Sequence, residues 1–350
     1  MKATLNNPKH NKSQKDKYVL QLMVKPIMKD EDITKKEGNY FPEKHYSNII
    51  NKDCDVYYLD NNKKKLLLKF RKGVIPQQQC KTAYQNLYQA AQKRNRNRGS
   101  ASGMVKKSKL PKYAKNIIKK DKYRVFYKDN QGRTKKDNIS NIAMSNIIGY
   151  YDAPDRNTLD TVVDKRTKKI SPSKMCRTTA FTQKEVSKWN HVLPYLKSAD
   201  QCFKKLVPSR HQTQLTRCRK TPKYQIGNTA FSTITINYNW RTACHQDRGD
   251  LPEGFGNLLV LEKDKCVDYP VESYQGGYIG FPKFGVAVDV RQGDFLAMDV
   301  HQYHCNTPIK VDKLCNSNSK IKNNRQKTKK YGRLSIVCYL RKNMLKCVKK

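Results

Sequence analysis

The chain has 350 residues, 37% of them apolar, enough for one large core or two ordinary ones, and 72 Lys and Arg against 29 Asp and Glu leave a formal net charge of +43. Such a surplus attracts polyanions, nucleic acid first among them, although heavy use of Lys and Asn also fits an AT-rich coding sequence with extra charge on solvated faces. Eleven cysteines without a Cys-x-x-Cys pair argue against a zinc ribbon or a disulfide framework, no apolar run approaches the ~18 residues of a membrane span, and the Lys-rich start lacks a secretory core, so a nuclear or otherwise intracellular protein is expected.

In chain order, residues 1–50 are polar with little periodicity and read as a basic, disordered or loosely attached arm. Ordered structure is expected from there to residue 350 as one domain, beginning with strands at CDVYYLD and KKLLLKFRKGVI. Residues 82–93 carry apolar side chains at helical spacing, and NRNRGSASG after them is a loop by its Gly, Ser and Asn content. Its Asn97 and Arg98 are candidates for contact with a substrate, a flexible connector being the plain alternative. From Met104 to Lys136 lysines alternate with Tyr113, Tyr123, Phe126 and Tyr127, a mixture that tracks a phosphate backbone or forms a half-exposed strand equally well. Clusters such as KRNRNR and KKSKLPK suit nuclear import or solvated loops. The stretch TAFTQKEVSKWNHVLPYLKSADQCFKKLV predicts one or two helices, with Thr182 as cap and Glu185 as its capping-box partner.

Beyond about residue 225 the texture changes to short strands separated by Gly, Pro and Asp: FSTITINYN, GNLLVLE, GYIGF, GVAVDV, DFLAMDVHQYH and LSIVCYL. This pattern predicts a mainly β core at about 225–345 within an α+β chain, closed or double-sheeted, of which the jelly roll is one form. There is no P-loop and no dinucleotide fingerprint, which removes ATP-driven and NAD-dependent chemistry.

Within FSTITINYNWRTACHQDRGD, His245 and Asp247 are two positions apart, so on a strand both leave the same face. An imidazole and a carboxylate on one face begin a 2-His-1-carboxylate iron site, which keeps positions open for a co-substrate and O2. The third ligand would come from DFLAMDVHQYHCNTP. There His301 and His304 differ by an odd step, so only one can face the site, and spacing does not choose between them.

The order His245-x-Asp247, a distal His, then GRLSIVCY resembles the Fe(II)- and 2-oxoglutarate-dependent dioxygenases, and within them the TET/JBP family, which oxidises the methyl group of 5-methylcytosine or thymine in DNA. GYYDAP, CRTTAFT and FRKGVI…NRGSASG resemble upstream blocks of the same family, extending the likeness over roughly residues 53–345. The resemblance implies a double-stranded β-helix (jelly roll) with flanking helices, and Fe(II), 2-oxoglutarate and O2 as cofactor and co-substrates. It places the distal ligand on His304, in the HCNTP context, and the 2-oxoglutarate carboxylate on Arg333, with Ser335 beside it on the same face. Arginine suits that role because its planar fork makes two parallel charge-assisted bonds, which Lys cannot copy.

Two features depart from the family pattern. The polar stretch between His304 and Arg333 is longer than the family's, an extension a surface loop absorbs at ~0.6 kcal/mol per doubling of length. Asp250 stands where animal relatives carry Asn; it could accept a hydrogen bond from the exocyclic amine of a flipped cytosine or simply close a Gly-Asp turn. The resulting expectation is a dioxygenase acting on double-stranded DNA with its target base flipped out, 5-methylcytosine before thymine. Its alternatives are an oxygenase of the same chemistry acting on protein or RNA, and a catalytically dead basic DNA-binding protein. A prolyl-hydroxylase type would carry Lys in place of Arg333, and a nucleic-acid dealkylase type a second Arg where this chain has Tyr339.

Overall fold

Strict alternation of side chains builds the core. In the Arg333–Tyr339 strand, Leu334, Ile336 and Cys338 face one way, into a cluster with helical residues, while Arg333, Ser335, Val337 and Tyr339 face a cavity on the other side. The Thr233–Tyr238 strand repeats the pattern, with Ile234 and Ile236 toward the helices and Thr235 and Asn237 toward the cavity. A computed structural model gives the coordinates, and it describes residues 19–104, 117–121, 124–128, 131–137, 141–152, 161–163, 170–172, 176–311 and 330–347.

The larger sheet runs, in spatial order, Leu20–Val24, Cys54–Asp60, Lys63–Arg71, Phe295–Met298, Gly256–Glu262, Arg333–Tyr339, Thr233–Tyr238, Ala143–Tyr151 and Arg177–Thr178. Its central strands are antiparallel, and Leu258 pairs with Val337 on one side and Leu296 on the other. The Asn61-Asn62 pair closes the hairpin between the second and third strands with both residues at positive φ, 47° and 63°, as a two-residue hairpin turn requires. A smaller sheet, ordered Cys305–Asn306, Ile279–Phe281, Val286–Val288 and Asn48–Ile50, lies over the first. Ile279, Phe281, Val286 and Val288 of the smaller sheet meet Leu258, Val260, Leu296 and Met298 of the larger in one apolar cluster. This is the double-stranded β-helix expected from the sequence.

Three helices, Gln77–Ala91, Val186–Leu206 and Pro208–Arg219, cover the outer face of the larger sheet. Tyr84, Leu87, Tyr195, Leu196 and Phe203 fill the space between them and Ile234, Leu259, Leu261 and Ile336. Truncating a fully buried ring such as Phe203 would cost about 3–5 kcal/mol. The sheet is therefore buried on both faces around its centre, and strands such as GNLLVLE read as continuous apolar runs for that reason.

Three expectations are corrected. The supposed arm is ordered from residue 20 to residue 50: Leu20–Val24 pairs in parallel with Cys54–Asp60, and Ile33, Phe41 and Tyr46 are buried. Residues 1–18 lie outside the described ones. Thr182 is not a helix cap but sits inside the short Ala180–Lys184 helix, where its hydroxyl accepts the Gly149 amide at 2.8 Å. Thr179 precedes that helix, and Glu185 stands at the start of the long one. DFLAMDVHQYH is no continuous strand, because the chain leaves it after Met298 in a turn where Gln302 N donates to Asp299 O.

Among the described residues eight cysteines are free, and Cys176 and Cys347 lie side by side with their Cα atoms 6.1 Å apart. The basic and aromatic segment after Met104 contains the antiparallel strands Ile117–Asp121, Arg124–Lys128 and Thr134–Asp137; its residues 105–116, 122–123 and 129–130, like residues 312–329 of the polar extension, lie outside the described ones. No helix among the described residues is long and apolar enough to cross a membrane.

Candidate metal centre and cavity

His245 and Asp247 do not stand on a regular strand. Past Tyr238 the chain runs in extended irregular form, held by reciprocal backbone bonds between His245 and His304, 3.0 and 2.9 Å, and by Asp247 N donating to Val300 O at 3.0 Å. That antiparallel bridge brings the two imidazoles together, their centroids 4.4 Å apart. His245 Nε2 lies 3.7 Å from Asp247 Oδ1, and His304 Nε2 lies 3.6 Å from Asp247 Oδ2. One ligand atom from each of the three falls within 4.8 Å of the others.

The remaining ring nitrogens set the tautomers. His245 Nδ1 is 2.7 Å from Ala243 O and His304 Nδ1 is 2.9 Å from Gln302 O; a carbonyl can only accept, so each Nδ1 carries the proton and each Nε2 presents a lone pair. Burial, then the neighbouring His245, push the His304 pKa down to about 4, which keeps this ring neutral and able to coordinate. His301 is elsewhere: the turn at Asp299 directs its Nε2 to Leu251 O at 3.4 Å, so of the two downstream histidines only His304 joins the cluster.

The cluster opens into a cavity of about 320 Å³. Arg333 and Ser335 both line it, as does the loop bearing Asn97 and Arg98. Arg333 is 3% exposed, yet its guanidinium has no carboxylate or hydrogen-bond partner among the described residues. It lies against Gly277, whose φ of +70° and missing side chain make the space: a Cβ there would come within 3.3 Å of Nε and 3.1 Å of Ile309. The Ser335 hydroxyl accepts the Asn237 amide at 3.3 Å, and Asn237 is fixed in turn by Ser145 at 2.5 Å. A buried cation costs several kcal/mol unless paired, so this position calls for an anion in the cavity.

Two further polar atoms are stranded there. Arg98 Nε and Asp250 Oδ2 are buried without a hydrogen-bond partner. Burial and the nearby Asp247 raise the Asp250 carboxyl well above its ordinary range, while Arg341 opposes the shift from 3.9 Å. Arg341 also binds Asp152 through Nε at 3.0 Å, and it fits only because residue 249 is Gly, where a Cβ would sit 2.2 Å from Nη1.

Arg341, Tyr339, Trp240 and Asn306 also line the cavity, and the sequence reading assigned none of them a place in the site. A signal for two of them was present. The every-second-residue rule that couples Arg333 to Ser335 continues through Val337 and Tyr339 to Arg341.

The Tet_JBP family model, described as the oxygenase domain of the 2OGFeDO superfamily, matches residues 166–342, half of the chain. The bifunctional helicase and thymine dioxygenase JBP2 of Trypanosoma cruzi (strain CL Brener) is 29% identical over 203 residues, 57% of this chain and 15% of that protein. JBP2 of Leishmania tarentolae is 31% identical over 173 residues, covering 49% and 13%. Thymine dioxygenase JBP1 of Trypanosoma brucei brucei is 29% identical over 136 residues, covering 39% and 15%. The chain thus spans about one seventh of the length of the curated relatives it matches. Among solved structures, NgTET1 in complex with 5mC DNA aligns with a TM-score of 0.42 at 11% identity, covering 91% of this chain and 92% of that one.

Proposed function

The chain belongs to the TET/JBP family of oxygenase domains in the 2-oxoglutarate and iron superfamily, and from that premise we propose that it is an Fe(II)- and 2-oxoglutarate-dependent dioxygenase that oxidises the methyl group of a pyrimidine in double-stranded DNA. The observation that carries this reading is a single cavity lined by His245, Asp247 and His304, with ligand atoms within 4.8 Å, and by the buried Arg333, whose guanidinium has no partner among the described residues. Bound iron would supply, with 2-oxoglutarate and O2, the oxidising power that breaks the methyl C–H bond.

The protein residues divide the remaining work. His245, Asp247 and His304 are the proposed metal ligands, two imidazoles locked by carbonyls and one carboxylate. Arg333 would grip the far carboxylate of 2-oxoglutarate, with the Ser335 hydroxyl beside it, and that carboxylate would be the anion its burial calls for. Arg98, with a free buried N–H, suits a second anionic or carbonyl group nearer Asp247. Tyr339 and Trp240 provide aromatic walls, and the high positive charge supports the grip on a distorted phosphate backbone.

For the base itself, 5-methylcytosine is supported by Asp250, whose unpartnered Oδ2 can accept the exocyclic N–H. Thymine is the second reading. The curated relatives carry that substrate in their names, and Arg341 beside Asp250 offers a donor suited to a carbonyl at the same edge. Nucleoside mass spectrometry of methylated and unmethylated duplexes after incubation with Fe(II), 2-oxoglutarate and O2 tests both. An added oxygen on 5-methyldeoxycytidine or on thymidine, with matching succinate, supports the corresponding reading; succinate with protein or RNA substrates alone would overturn them.

A further inference from the structure

Three large apolar side chains face solvent on loops that adjoin the cavity through its lining residues Ser100, Ala101 and Thr242: Tyr40 is 45% exposed, Met104 40% and Ile142 50%. They are held in place by interlocked loops. Tyr40 lies on Gly103, where a Cβ would come within 2.9 Å of its hydroxyl, and Met104 lies on Gly38, where a Cβ would come within 3.1 Å of its sulfur. Both glycines are at positive φ, +83° and +82°, so each loop needs the glycine that the other's side chain covers. Met104 N donates to Gly38 O at 3.1 Å, and the Asn141 amide, next to Ile142, donates to Ser102 O at 2.8 Å.

The ridge is stitched to the catalytic segment. Gly38 and Asn39 exchange backbone bonds of 2.8 Å with Cys244, the residue before His245, and Ala243 N donates to Ala101 O at the same distance. Arg241 lies 4.7 Å over the Tyr40 ring, between the cavity-lining residues Trp240 and Thr242. The chain's net charge of +43 makes a polyanion a suitable partner for this ridge. A rigid, exposed apolar edge at the mouth of a pocket that takes one base has a defined use in a duplex: side chains of this kind enter a base step and occupy the space that unstacking opens.

We propose that Tyr40, Met104 and Ile142 form a wedge that enters the base stack of duplex DNA and fills the gap left when the target base swings into the cavity. The inference rests on the DNA-base reading above. Its test compares duplex with single-stranded oligonucleotides of one sequence, using 2-aminopurine beside the target base to report unstacking and turnover to report oxidation.

Tyr40→Ala combined with Met104→Ala should abolish the fluorescence rise on binding duplex and raise KM for duplex about tenfold or more, the loss of one stacked ring. Oxidation of the single strand, which needs no wedge, should be unchanged, and Tyr40→Phe should behave as wild type. The exposed Ile142→Ser, which leaves the interlocked glycines untouched, should give a smaller loss of the same kind if the double variant does not fold.

Equal losses on duplex and single strand, or no loss on duplex, would overturn the wedge. So would a wild-type dimer in sedimentation that the variants dissolve while duplex binding stays intact. The fluorescence arm needs only binding, so absence of oxidation in the wild type would count against the enzymatic reading alone.

Discussion

Glu262 and Arg333 face each other in the register of two neighbouring strands, both buried and both charged, yet their surroundings are opposite. The Glu262 carboxylate is held by Lys265, by Arg291 at 3.4 Å and by the Gln292 amide at 3.1 Å. Arg333 has no such partner among the described residues and turns into the cavity, where Arg98 and Asp250 carry unsatisfied atoms. A closed polar network explains itself as structure. An open one, at equal depth, costs stability that a purely structural role leaves unexplained, and here it surrounds the His245, Asp247 and His304 cluster.

Substitutions should split along that line. The largest effect is expected at the cluster: His304→Ala should reduce turnover below detection, whereas His301→Ala should keep measurable activity. Equal loss in both would blur the distinction drawn by the Asp299 turn. Arg333→Lys should weaken 2-oxoglutarate binding, read by calorimetry, by roughly 1.5–3 kcal/mol, about tenfold to a hundredfold, while DNA affinity stays put.

On the closed side, Glu262→Gln should cost roughly 1–3 kcal/mol of unfolding free energy and leave KM for 2-oxoglutarate unchanged. Burial raises the Glu262 pKa, but Lys265, the Gln292 amide and Arg291 outweigh it and hold the carboxyl below its ordinary value. A depressed folded pKa contributes stability that is complete above the unfolded pKa and disappears as pH falls through the folded one. Denaturation curves of wild type and Glu262→Gln should therefore differ at neutral pH and converge in acid. The smallest effect sharpens the contrast most: Arg333→Met should leave the metal-free protein as stable as wild type or up to about 1 kcal/mol more so, because it removes an unpaired buried charge.

What the sequence made legible follows from the range of the interactions involved. Arg333 and Ser335 could be read together because a strand repeats every two residues. His245 and Asp247 were identified by the same rule although they occupy an irregular stretch; the His304 bridge, a contact distant in sequence, aligns them. The choice between His301 and His304 was beyond spacing because it depends on the turn where Asp299 N donates to Leu67 O and the Asp299 carboxylate accepts the His301 amide. Residues 20–50 were misread for a similar reason: their order comes from parallel pairing with residues 54–58 and from single anchors such as Ile33 and Tyr46, which leave no periodic trace. Alternation carries the cavity face on to Arg341, but its ion pair with Asp152 and the room that Gly249 leaves for it are contacts distant in sequence.

Anaerobic Fe(II) titration of wild type, His304→Ala and His301→Ala tests the central claim most directly. One ion should bind per chain in the wild type and in His301→Ala, and none with comparable affinity in His304→Ala. Undiminished binding in His304→Ala would contradict the convergence of these three side chains on a metal.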